Sequence, residues 1–157
     1  MSTDGLRAIR DRVERVLQQA DLAKEPEAKS DLACLACILT SAMIEVACRE
    51  YVGRYAANRS APTIAAYVRN KLYFFQNAKS EDIDGLLRGF APELADEFSA
   101  AISDEVKDAV DSVVGKKNEL VHGKGVGIGL DTMKRYHKDV LAAIEVLRVL
   151  LTKPITR

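Results

Sequence analysis

At 157 residues, 48% hydrophobic and 29% charged, the chain is long enough for one domain with a real core and too short for two. Lys and Arg number 23, as do Asp and Glu, so the formal net charge is zero. That removes the simplest argument for a nucleic-acid or membrane partner, a strongly basic chain, and leaves segregation of charge along the sequence open.

The predicted elements are helical throughout. Leu6, Ile9, Val13, Val16, Leu17 and Ala20 recur at three- and four-residue spacing, which predicts a first amphipathic helix. Lys24-Glu25-Pro26-Glu27 breaks that pattern. A second helix is expected from Ser30-Asp31 to about Ala57, and a third from a Ser60 cap and Pro62 first turn to about Gln76. Ser80, followed by Glu81 and Asp82, opens a short fourth helix ending near Gly89, and Pro92 to Ala101 forms another short piece. Ser103, with Asp104 and Glu105 in its first turn, starts a helix carrying Val106, Val110, Val113 and Val114. The last helix begins near Asp131 and carries Met133, Val140, Leu141, Ile144, Leu147 and Leu151 until Pro154 stops it. No segment shows a strand's period of two. The predicted fold class is all-α, an up-and-down helical bundle of four long helices plus short ones, in a single domain over 1–157.

Charge interrupts every apolar run before ~18 residues, so no transmembrane helix is expected. Met1-Ser2-Thr3-Asp4-Gly5 leads into a charged amphipathic stretch without the apolar core of a signal peptide. All three cysteines lie between Cys34 and Cys48, an odd number in one helix and no disulfide framework. A cytoplasmic protein is expected. Cys34-x-x-Cys37 has ligand-like spacing, yet a closed zinc site needs four ligands, and only Cys48 and two distant histidines remain. Buried thiols acting as small hydrophobes are the better reading, and no metal or cofactor is predicted.

The second helix is apolar on almost every side, which marks it as central. Cys34, Cys37, Ser41, Glu45 and Cys48 fall within one quadrant of it at ~100° per residue. Glu45 therefore needs a partner, either Arg49 one turn on or a cation delivered from another helix into a polar cleft. Lys117 is a source of such a cation. It lies within the apolar stripe formed by Val106, Val110, Val113, Leu120 and Val121, where its ammonium must snorkel or face a cleft or interface. His122 follows five residues later, ahead of the Gly123-to-Gly129 run. That run fits no nucleotide fingerprint and reads as an interhelical loop whose amides and Lys124 could touch a phosphate. His137 reads as a packing residue on the last helix.

The string Lys116-Lys117-Asn118-Glu119-Leu120-Val121-His122-Gly123 resembles the signature of the HEPN superfamily, small α-helical domains of RNA-cleaving toxins and defence proteins. Asn118, His122 and the following glycine match as they stand, and Lys117 occupies the place of the family's arginine. The helix order over 31–151 is similar to the RiboL-PSP type of HEPN domain. The resemblance implies a metal-independent endoribonuclease acting on single-stranded RNA by attack of the 2′-hydroxyl on the adjacent phosphate. His122 would be the general base or acid, and Lys117 would stabilise charge on the phosphoryl oxygens. Asn118 would orient the phosphate or the imidazole, and Glu45 completes the implied catalytic set. Lys116, Lys124, Arg49 and Arg54 are the implied RNA contacts. The resemblance further implies a symmetric homodimer with both motifs in one cleft, and an antitoxin or other protein partner. Position 124 is lysine, so the tyrosine that some family toxins carry there, and its modification, is not implied. Lysine lacks the planar fork that grips phosphate with two parallel hydrogen bonds. A non-catalytic HEPN module that binds RNA or a protein is accordingly the alternative.

Charge is indeed segregated. Between Tyr51 and Ala78 there are four basic residues (Arg54, Arg59, Arg69, Lys71), no acidic ones, and six of the nine aromatics. Basic groups interleaved with rings suit single-stranded RNA. From Lys79 to Ser112 the balance reverses, with ten acidic against three basic residues.

Overall fold

Three prolines set three helix starts, because a ring that fixes φ and lacks an N–H costs nothing in a first turn. In the computed structural model, which describes residues 4–125 and 127–154, α2 (Pro26–Ala57), α3 (Pro62–Leu72) and α5 (Pro92–Ala101) each begin on one. The others are α1 (Asp4–Leu22), α4 (Ser80–Arg88), α6 (Asp104–Val121) and α7 (Leu130–Leu151). The fold is all-α, with no strand among the described residues. Val126, inside the predicted glycine loop, and Met1 to Thr3 lie outside the described residues.

The expected break between the first two helices is present at residues 23–25, and Pro26 opens α2 four residues before the predicted start at Ser30. α2 packs against α1, α3, α6 and α7 and is the central element. Many of its fully buried positions hold small residues (Ala33, Ala36, Cys37, Thr40, Ser41, Ala47 and Cys48), alongside the larger Met43, Ile44 and Val52. The larger Leu32, Leu35 and Leu39 are only partly covered. Small side chains let neighbouring backbones close to native packing density around this helix. By length and composition alone α2 could cross a bilayer, with mean hydropathy 1.8 over its most apolar stretch, half of which is buried inside the protein. The sequence reading set that possibility aside; the fold uses the same apolarity to build a core with Val113, Val114, Met133, Val140 and Leu147.

Local contacts and a contact from another helix both set helix ends. The Ser103 hydroxyl accepts from the Val106 N–H at 3.2 Å, and Asp82 reaches back to the Lys79 N–H at 3.2 Å. Asp111 of α6 crosses to accept from both the N–H (2.7 Å) and the hydroxyl (2.9 Å) of Ser80, fixing the start of α4. α6 closes on His122, with Gly123 at φ +70, Gly123 N–H donating to Leu120 C=O and Lys124 N–H to Glu119 C=O. This pair of bonds is the Schellman arrangement, and the left-handed position explains the glycine. α3 was expected to reach Gln76 and stops at Leu72 instead.

His137 of α7 is 7% exposed, and neither ring nitrogen makes a hydrogen bond among the described residues. Its nearest carboxylate, Glu14 of α1, lies 3.9 Å from Nε2 and is already bonded by Arg10 at 3.1 Å. Burial therefore dominates and pushes the imidazole below its ordinary value of 6.5. The unfolded chain then takes up this proton more readily than the folded one. The contribution to stability is complete above about 6.5 and is lost as pH falls through it towards the lower folded value. Unfolding free energy from urea titration should fall between about pH 7.5 and 5.5, and His137→Gln should flatten that slope.

Candidate functional site

Glu45 and Arg49 sit one turn apart on α2, with side chains 16% and 23% exposed, and they face one another at 3.7 Å. Neither relies on that long contact. The Arg49 guanidinium donates from Nε to Leu72 C=O (3.0 Å) and from Nη2 to Phe75 C=O (2.9 Å). These carbonyls belong to the end of α3 and the chain just after it, so Arg49 caps α3 from outside. These bonds end α3 before Gln76 with a group from another helix, which no local sequence signal marks.

The Glu45 carboxylate accepts from the backbone N–H of Asn77 at 2.9 Å. Asn77 stands at φ +55, a left-handed conformation that asparagine tolerates better than most side chains. Its side-chain carbonyl in turn accepts from Lys117 Nζ at 2.7 Å. Of the two partners expected for Glu45, Arg49 is present at salt-bridge distance. The cation from α6 arrives at one remove, through Asn77. Glu45 and Lys117 form no direct ion pair. The structure thus brings Glu45, Arg49 and Lys117 to one loop, the connection between α3 and α4.

The rest of the motif lies at the C-terminal end of α6. His122 is the exposed cap residue, its N–H donating to Asn118 C=O at 3.2 Å. Lys124 is also exposed, and Lys116 pairs with Glu119 at 3.0 Å. Ile128, beyond the undescribed Val126, is buried in the core, and a Cβ on Gly127 would meet the Ser30 hydroxyl at 3.0 Å. The glycine loop is therefore seated on the first turns of α2. Lys117 and His122, five residues apart, point ~140° from one another around the helix.

Arg54, the remaining residue of the implied RNA set, lies away from this motif in a cleft between α2 and α3. It donates to Glu50 at 3.0 Å, and the Glu50 side chain is only 3% exposed. Sequence reasoning missed Glu50, although the argument applied to Glu45 holds equally for an acid five positions later on the same helix. It also missed Asn77, whose signal was an asparagine before the Lys79-Ser80 helix start, a typical left-handed turn position. The thiols offer no ligand set, and among the described residues no group of three His, Cys, Asp or Glu could hold a metal. Burial pushes Cys37 and Cys48 up to about 12, and the Cys37 thiol faces the Val113 carbonyl at 3.5 Å. Both are inert packing groups.

Compared with family models, with curated proteins and with solved structures, the chain matches none.

Asn77 joins Glu45 to Lys117, so its variants separate backbone from side-chain effects. Asn77→Gly keeps the left-handed turn and the N–H to Glu45 and should unfold in urea within about 0.5 kcal/mol of the parent. Asn77→Ala should cost about 1–2 kcal/mol, from the strained φ. Glu45→Ala leaves a loop N–H unpaired and should cost about 1–3 kcal/mol.

Proposed function

We propose that the protein is a metal-independent endoribonuclease of the HEPN type, cleaving single-stranded RNA in a toxin or antiviral-defence setting in the cytoplasm. The reading takes the four long helices as an up-and-down bundle presenting the Lys117–His122 motif. The observation that carries it is the Glu45–Asn77–Lys117 connection, which fixes the position of a cation at the edge of the exposed motif. In this mechanism His122 exchanges a proton with the attacking 2′-hydroxyl or the leaving 5′-oxygen, as imidazole is suited to do near neutral pH. Lys117 has three donors, of which Asn77 takes one, and the others are available to phosphoryl oxygens. Asn118 orients the phosphate or the ring. The products are a 2′,3′-cyclic phosphate and a 5′-hydroxyl.

A second reading is favoured by one contact. The 2.7 Å bond to Asn77 uses the ammonium for structure, and lysine offers phosphate no bidentate grip. The protein would then be a non-catalytic HEPN module that binds RNA or a protein partner such as an antitoxin.

Incubation of mixed-sequence single-stranded RNA with EDTA present decides between them. The enzyme should cleave, and His122→Ala should lose about 10²–10⁴-fold of that rate. Lys117→Ala should lose about 10²-fold, with Lys117→Arg retaining activity. Binding without cleavage by parent and variants alike would establish the module instead. The homodimer that places both motifs in one cleft should appear in sedimentation at micromolar concentration, and a strict monomer would remove it.

A further inference from the structure

We infer that the loop after α3 is a stacking site for unpaired bases, with Tyr73 and Phe74 as its platform and Arg69 and Lys71 as phosphate contacts. This rests on the RNA reading above and names the part of the surface that selects a single strand. Tyr73 and Phe74 are 72% and 75% exposed, and their rings meet edge to face at 5.3 Å. Tyr67, nearly two turns back on α3, is 61% exposed with Lys71 Nζ 5.4 Å above its ring. Rings left this open in water are costly unless something covers them. Concavities lie on both sides: a cleft of about 450 Å³ holding Arg54, Arg69 and Tyr73, and a groove of about 470 Å³ lined by Tyr67, Lys71 and Phe74.

The occupant is set by charge. No acidic residue occurs between Tyr51 and Ala78, and among the described residues Arg59, Arg69 and Lys71 pair with no carboxylate. The acidic residue lining the cleft, Glu50, is engaged by Arg54, and Glu45 is taken up by the Asn77 N–H. Flat rings among uncompensated cations fit a polyanion with exposed aromatic faces, which is a single-stranded nucleic acid. A duplex keeps its bases stacked on each other and gains only the phosphate contacts. The placement ties the surface to the motif. Phe74 precedes Asn77 by three residues, so its Cα lies within ~11 Å of the residue that holds Lys117. A strand lying on the rings runs towards that cation.

The test is fluorescence anisotropy with labelled single-stranded RNA and its annealed duplex, in the His122→Ala background so that the probe is not consumed. Single strand should bind more tightly than duplex. Tyr73→Ala and Phe74→Ala should each weaken it about tenfold, while Tyr73→Phe keeps the affinity. Arg69→Ala should lower the slope of log affinity against log salt by about 1. Circular dichroism controls for folding, and both rings lie outside the core. Unchanged affinity in the double alanine variant, or equal binding of duplex, overturns the proposal. Concentration-dependent self-association abolished by the same two substitutions, without RNA binding, overturns it in favour of a contact between copies. Ring-dependent binding with no cleavage by the parent leaves this site standing and removes the ribonuclease. Cleavage with ring-independent affinity does the reverse.

Discussion

A charged pair on the most apolar helix governs the surface around it. α2 is buried along most of its length, and neither Glu45 nor Arg49 can be left unpartnered there without a cost of several kcal/mol, in rough terms. Their mutual contact at 3.7 Å is too long to satisfy either. The fold satisfies both with main chain, giving Arg49 two carbonyls and Glu45 one N–H from the segment between Leu72 and Asn77. That segment is held against α2 and released from helical geometry. The chain leaves α3 in a tightened last turn, with the Phe74 and Phe75 N–H groups donating to the Lys71 and Leu72 carbonyls, and Tyr73 and Phe74 stand exposed on it. A demand set inside the core thus shapes the most aromatic part of the outside.

How much of this was legible depends on whether the cause was local. Pro92 and the chain up to Ala101 gave α5 with both ends in place, and Ser103 gave the start of α6, because prolines and caps act within one turn. Pro26 marked the break between α1 and α2 but was not read as the first residue of α2, since the same residue that breaks a helix interior is the natural start of a new one. The end of α3 was not readable, as its cause is an arginine on another helix. At the candidate site the need was visible and the means were not. Glu45 in an apolar helix had to have a partner, but a backbone N–H leaves no mark in the sequence. The exposed rings were partly anticipated by the acid-free interval, though the sequence could not say which of the six were core. Tyr51 is buried and Tyr73 is not.

The His122-Gly123 pair has a structural cause independent of any chemistry. Gly123 takes a left-handed φ that closes the Schellman bonds, and that alone accounts for a glycine after the cap. The histidine is a different matter. A cap position needs no imidazole, and this one is exposed with only its backbone N–H engaged. Lys117 shows the same division between structure and availability. One of its donors steadies Asn77, and a single bond at a solvent-facing edge leaves the charge free to meet an anion.

Geometry also bears on why one copy of the motif is half a site under the ribonuclease reading. Lys117 and His122 diverge by ~140° around α6, so a phosphate touching one ammonium does not face the imidazole of the same turn. Val121, between them in sequence, is 56% exposed on a helix whose other valines are buried or partly covered. An apolar residue in the open, flanked by a cation on one side and an imidazole on the other, suits a surface that meets its own copy. In the proposed homodimer, a two-fold axis near the motif would bring the lysine of one protomer beside the histidine of the other, turning divergence within each helix into convergence across the pair. In that arrangement the repulsion between the two cationic sites would select an anion, since the space between them would be unfavourable empty and favourable once a phosphate entered.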